Sequence, residues 1–219
     1  MPGDSLKRWL SWLYPMPVET VEGKHGTLSI RWEYGRKVLN STEANQSFGS
    51  LHSVWQEAFR QARIADAPPD DVLLLGLGAG SVPHILRHEL RLDAPITAVE
   101  LDPVVVDIAQ RHFALDEIEG LGIVLGDATV QVHALPERFG LVVVDLFDDL
   151  DLARGVDTAG FAHALRARCA IGGIVLFNTV GYDDASATRC GRVLDHLRQV
   201  FGEVEELRLE EVNRVFIAR

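Results

Sequence analysis

Val72-Leu73-Leu74-Leu75-Gly76-Leu77-Gly78-Ala79-Gly80-Ser81 is the stretch on which the fold turns. Four consecutive apolar residues run into a glycine-rich turn, the pattern of a strand buried on both faces. Residues Ser81 to Leu90 then read as a helix. Glycines in such a turn let the backbone approach a neighbour closely and swing into the next element. The spacing departs from the GxGxxG dinucleotide fingerprint: the third glycine comes one position early, and Ser81 holds the later place.

Downstream, strand and helix patterns alternate. Ile96–Val99 reads as a second strand ending at Glu100, and Pro103–Phe113 as a helix with proline in its first turn. Gly122–Leu125 is a third strand, ending before Gly126-Asp127, and Leu141–Val144 a fourth, ending at Asp145. A helix at Thr158–Arg168 leads through Gly172-Gly173 to a fifth strand, Ile174–Phe177. An amphipathic helix over Ala185–Phe201 precedes strands at Val204–Leu209 and Arg214–Ala218. This order predicts an α/β fold: a seven-stranded, mostly parallel sheet covered by helices on both faces, closed by a terminal antiparallel hairpin.

Upstream, Thr27–Glu33 alternates with Leu28, Ile30 and Trp32 on one face. Tyr34-Gly35-Arg36 reads as a turn and Lys37-Val38-Leu39 as a return strand. Between Phe48 and Ile64, Leu51, Val54, Trp55, Ala58, Phe59 and Ala62 form one helical stripe, which Pro68-Pro69 ends. The expected organisation is a small N-terminal β unit over residues 1–45 and an α/β domain over residues 46–219.

Composition narrows the functional classes. The 219 residues are 47% hydrophobic and 24% charged, and 21 Lys+Arg against 32 Asp+Glu give a net charge of −11. That balance disfavours nucleic acid and anionic membranes as partners. Two cysteines, Cys169 and Cys190, make no disulfide scaffold, and a cytoplasmic, reduced protein is expected. The eight histidines include no HExxH and no Cys/His cluster at ligand spacing, so no metal is expected. The longest uncharged run, Val72–Leu86, is too short to span a bilayer. Lys7 and Arg8 precede the apolar stretch Trp9–Tyr14, which lacks a small-residue cleavage site. It reads as a short helix packed on the body or on a partner subunit, with a homodimer the assembly in view.

In parallel sheets of this kind, ligands bind beyond the carboxyl ends of the strands. Those ends here carry Gly76, Gly78, Gly80, Glu100, Asp127, Asp145 and Asp148. Glu100, twenty positions after Gly80, is placed to accept from two ribose hydroxyls. Asp127 is placed to accept from an adenine amino group beside the backbone of Ala128; the alternative is an N-cap for a following helix. Clustered carboxylates repel and need solvent, hydrogen bonds or a cation, and a sulfonium with an amine substrate would supply one. The alternative for Asp145 and Asp148 is an acidic turn on an acidic chain.

These residues together resemble the spermidine synthase family of aminopropyltransferases, a branch of the Rossmann-like class I S-adenosylmethionine-dependent methyltransferase fold. The resemblance runs through Val72–Gly80, Ala98-Val-Glu-Leu-Asp-Pro-Val-Val-Val, Gly126-Asp-Ala, Leu141-Val-Val-Val-Asp-Leu-Phe-Asp and Gly172-Gly-Ile-Val-Leu, and covers roughly residues 25 to 200. It implies that S-adenosylmethionine or its decarboxylated form binds as co-substrate. Gly76, Gly78 and Gly80 would line the methionine-derived part, with Glu100 and Leu101 at the ribose, Asp127 and Ala128 at the adenine, and Gln46 near the nucleoside. Asp145 would assist deprotonation of the attacking amine, with Asp148 and His52 on the substrate side. The chain also departs from the pattern. Ala79 stands where active members carry Asp, Leu51-His52 where they carry an Asp-Glu pair, and Asp145-Leu-Phe-Asp148-Asp149 lacks the Asp-Ser-Ser-Asp-Pro continuation. The readings to separate are therefore an aminopropyl-type transferase acting on an amine, a small-molecule methyltransferase, and a non-catalytic homologue that keeps only the nucleoside site.

Overall fold

The computed structural model describes residues 2–24, 26–41, 45–148 and 151–219. α1 (Pro2–Leu10) leads into β1 (Met16–Gly23), β2 (Gly26–Glu33), β3 (Arg36–Asn40) and β4 (Asn45–Ser47), which pair in that order as an antiparallel sheet. The expected hairpin is β2–β3. β1 escapes the sequence pattern because Pro17 and a register shift between Pro17 and Glu19 break its alternation. α1 packs against this sheet, with Lys7 Nζ donating to the Pro17 carbonyl at 2.9 Å and Arg8 Nε to that of Gly35 at 3.1 Å. Trp9 and Leu13 face outward.

α2 (Ser50–Gln61) follows, and the alternating body begins with β5 (Val72–Leu75) and α3 (Ser81–His84). A π-helical turn, Ile85–Glu89, continues α3, so the helix expected over Ser81–Leu90 widens half-way. Next come β6 (Ile96–Glu100), α4 (Pro103–Phe113), β7 (Leu121–Leu125), α5 (Ala128–Ala134) and β8 (Phe139–Val144). A hairpin of two-residue strands, β9 (Phe147–Asp148) and β10 (Asp151–Leu152), precedes α6 (Ala159–Arg168), β11 (Cys169–Val180) and α7 (Asp184–Val200). β12 (Val204–Leu209) and β13 (Asn213–Ala218) end the chain.

The main sheet has seven strands in the order β12-β13-β11-β8-β5-β6-β7. β13 runs antiparallel between β11 and β12; the other neighbouring pairs are parallel. This is the expected class I methyltransferase architecture with its terminal hairpin. β5 is buried on both faces: Val72 and Leu74 enter the core under α2, while Leu73 and Leu75 enter the core under α6 and α7. Each such side chain contributes roughly 1.5–3 kcal/mol by leaving water. Chain order reverses between β5 and β8, which opens the switch-point crevice at the carboxyl ends of these two strands. Among the described residues, no helix is long and apolar enough to cross a membrane.

The N-terminal sheet shares a core with the body. Leu28, Ile30 and Leu39 pack with Ala79, Val105, Ile108 and Phe113. Asp102 fastens the two units. Its Oδ1 accepts the Val104 N–H at 2.8 Å, capping α4, while its Oδ2 accepts the Lys24 N–H at 2.5 Å from the turn after β1. The side chain is 6% exposed, so neither bond is replaced by water when it is removed. Asp102→Ala is expected to lower the unfolding free energy by about 2 kcal/mol in urea titrations. An unchanged midpoint would show that the two units are not energetically joined there.

Candidate active site

The switch-point crevice is a cleft of about 400 Å³. One wall is made by Gly76, Gly78, Glu100, Leu101, Asp127 and Ala128, from the ends of β5, β6 and β7. The other comes from Asn178 and Val180 on β11, Val212 and Asn213 at the start of β13, and Ser50 and Leu51 at the start of α2. Asp145 lies between them, and the β9–β10 hairpin brings Phe147 and Asp148 to the rim.

Gly76 is held at φ +93°, and a Cβ on it would lie 2.1 Å from the Asp145 carbonyl oxygen. Its lack of a side chain is therefore required by the neighbouring strand end. Past it, the Glu100 carboxylate organises the turn. Oε2 accepts the N–H groups of Leu77 and Gly78, both at 3.1 Å, and Oε1 accepts those of Leu101 at 2.8 Å and Asp102 at 3.0 Å. Burial pushes the Glu100 pKa up, and the four N–H groups pull against that shift.

Asp127 caps α5, its Oδ1 accepting the Thr129 N–H at 2.8 Å and the Thr129 hydroxyl at 2.7 Å, while its exposed side chain still borders the cleft beside buried Ala128. The N-cap reading of Asp127 is thus the one its hydrogen bonds show, with the residue also at the edge of the cleft. Gly80 turns the chain into α3 rather than lining the cleft. Asp148 is exposed at the rim. Gln46 falls on β4, and its side chain lies outside the described residues.

His52 is not brought to the cleft. Its Nε2 meets Glu89 Oε1 at 2.7 Å, and its ring stacks on Phe48 with centroids 5.5 Å apart. Adjacent helical residues point about 100° apart, so of the pair only Leu51 faces the crevice. Ala79 is fully buried in the apolar cluster beneath the N-terminal sheet. Among the described residues, no three His, Cys, Asp or Glu side chains converge as a metal site.

Two residues that the motifs do not mark complete the site. Trp55 Nε1 donates to Asp145 Oδ2 at 2.9 Å, and Asn178 Nδ2 donates to Oδ1 at 3.0 Å. Trp55 sits in the helical stripe read as core, and its indole N–H is the polar handle such a residue must satisfy when buried. Asn178 follows the apolar run of the fifth strand, at the same sheet edge as the other site residues. Burial lifts the Asp145 carboxyl from 3.8 to about 6, against the lowering effect of the two N–H donors.

Comparisons with known proteins agree with this architecture. The polyamine aminopropyltransferase of Vibrio vulnificus (strain CMCP6) is 30% identical over 159 residues, which cover 68% of this chain and 50% of that protein. The chain thus resembles the spermidine synthases in sequence and shares the class I methyltransferase-like fold. This divergent chain spans about half the length of that curated relative. A probable spermidine synthase from Corynebacterium glutamicum ATCC 13032 shares its fold with a TM-score of 0.77 at 16% identity, covering 92% of this chain and 79% of that one. Human methyltransferase-like protein 13 in complex with SAH has a TM-score of 0.63 at 19% identity, covering 78% of this chain and 82% of that one. No family model matches the sequence.

The lifted Asp145 pKa has a consequence for stability. An acid that holds its proton more tightly when folded destabilises the protein as pH rises from about 4, its unfolded value, to about 6. Urea titrations across that window are expected to show the wild type losing stability relative to Asp145→Asn, by about 3 kcal/mol at most. Equal slopes in the two proteins would remove Asp145 as the source.

Proposed function

We propose that the protein is a transferase that binds S-adenosylmethionine or its decarboxylated form and passes an aminopropyl or related group to an amine acceptor. The observation that carries this reading is a carboxylate with a pKa of about 6 at the switch point, between a nucleoside-type wall and a second wall able to seat an acceptor. The cleft fits an adenosyl donor in size and lining. Its volume lies in the range of small-molecule sites, and Leu101, Val105, Ala128 and Leu146 give it apolar surface for a base. Glu100 would meet the ribose hydroxyls, Asp127 and Ala128 the adenine, and Gly76 and Gly78 the rest of the donor. The similarity to an aminopropyltransferase, and to the fold of a methyltransferase solved with SAH, supports this class of donor.

The donor would supply a sulfonium centre with an electrophilic carbon. An ammonium acceptor has no lone pair to offer, and Asp145 would take its proton. The freed nitrogen pair then forms the C–N bond as the C–S bond breaks, and the departing electron pair remains on sulfur as a neutral thioether. The two walls hold donor and acceptor in line across Asp145. A carboxylate with a pKa of about 6 is ionised at neutral pH and only weakly acidic once protonated, which suits it to exchange protons with an amine.

Titration calorimetry with S-adenosylmethionine, decarboxylated S-adenosylmethionine and methylthioadenosine tests donor binding, and no binding of any at millimolar concentration would overturn the proposal. With a mixed pool of amine acceptors, mass spectrometry is expected to find methylthioadenosine. S-adenosylhomocysteine would instead assign methyl transfer. Asp145→Asn is expected to keep donor affinity within a few-fold while lowering turnover roughly 10²–10⁴-fold. The wild-type rate should rise with pH through about 6, and a flat profile would exclude Asp145 as the base.

A further inference from the structure

Asn178 is fully buried, and its amide is engaged at both ends. Nδ2 donates to Asp145 Oδ1 at 3.0 Å, and Oδ1 accepts from Asn213 Nδ2 at 3.2 Å. The second residue sits at the start of β13, two residues along the register: Asn178 faces Val215, and Val180 faces Asn213. On the other side of the carboxylate, Trp55 Nε1 donates at 2.9 Å, and an indole nitrogen can only donate.

The two ends of an amide have nearly the same shape, so an asparagine's orientation is decided by its partners. Turned the other way, Asn178 would set its oxygen against the Asp145 carboxylate. Only a protonated Asp145 could bond to it. The donor supplied by Asn213 works against that reversal, because the reversed amide would present N–H to N–H until Asn213 turned with it.

We propose that Asn213 is a positioning residue for Asp145: by donating to Asn178 Oδ1, it turns the Asn178 N–H toward the carboxylate and keeps that carboxylate in its proton-accepting form. Asn213 also lines the cleft, which ties the terminal hairpin to the chemistry at the centre of the sheet. The catalytic meaning of this relay rests on the proton-transfer role given to Asp145 above; its hydrogen bonds and its test do not. The charged side chains sharing the cleft with Asp145 are Glu100, Asp102, Asp127, Asp148 and Arg154. Arg214, next to Asn213, faces Glu206 on β12, with Nη1 to Oε1 at 3.7 Å. The contacts that bear directly on the Asp145 carboxyl are those of Asn178 and Trp55.

The test is a pH titration of the Asp145 side-chain carboxyl by carbon-13 NMR in the full chain, without donor or acceptor. Asn213→Leu, which keeps the backbone pairing of β13 and removes the donor, is expected to raise the midpoint by roughly half a pH unit. Asn178→Leu should raise it by at least as much, and the double variant no further than Asn178→Leu alone, because both act through one chain. Should Asn178→Leu not fold, Asn213→Ala serves instead: it removes the same donor without adding a charge, and its midpoint should rise as that of Asn213→Leu does. A midpoint unmoved by Asn213→Leu or Asn213→Ala, or fully additive shifts in the double variant, would overturn the relay. Absence of donor binding in the calorimetry would leave this titration untouched, and an unmoved midpoint would leave the calorimetry untouched.

Discussion

The ends of β5 and β8 meet backbone to backbone at Gly76 and Asp145. The Asp145 N–H bonds the Leu75 carbonyl at 2.8 Å, and the space beside Gly76 is too small for a Cβ. A side chain at position 76 would push the two strands apart at the point where chain order reverses. The crevice exists because these strands send their connections to opposite sides, and its floor is this contact. Glu100 then gathers the N–H groups of Leu77, Gly78, Leu101 and Asp102 around one carboxylate, fixing the turn that forms one wall of the cleft.

The acids of the cleft do different work because their partners differ. Glu100 is saturated by main-chain donors, Asp102 caps α4 and holds the N-terminal sheet, and Asp127 caps α5. Among the described residues, Asp145 receives side-chain donors alone, from α2 and β11, and keeps acceptor capacity toward the cleft. A net charge of −11 therefore says little about the site. What singles out Asp145 is burial with two neutral donors, which favours proton exchange near neutrality without a cationic partner.

The sheet and its terminal hairpin are legible in the sequence because buried parallel strands read as apolar runs and their helices carry stripes. The carboxyl-end acids are legible for the same reason: topology alone brings strand ends together. The β9–β10 hairpin is not, since two-residue strands have no period, and β1 is hidden by Pro17. The donors to Asp145 are hidden differently. Trp55 and Asp145 are 90 positions apart, and neither lies in a local pattern that names the other. The assignment of His52 to the substrate side fails on helical geometry, because its neighbour Leu51 takes the cleft-facing position.

The departures from the family pattern at Ala79 and Leu51 are built into the packing. Ala79 is enclosed with Leu28, Ile30 and Ile108, where the N-terminal sheet meets α4. An aspartate there would bury a carboxylate among apolar side chains, at a cost of several kcal/mol unless a partner moved in. Leu51 likewise packs against the main core while it lines the cleft. The seating of the N-terminal sheet and of α2 on the body is thus one constraint on both positions: the chain closes these contacts with alanine and leucine and places a charge at neither.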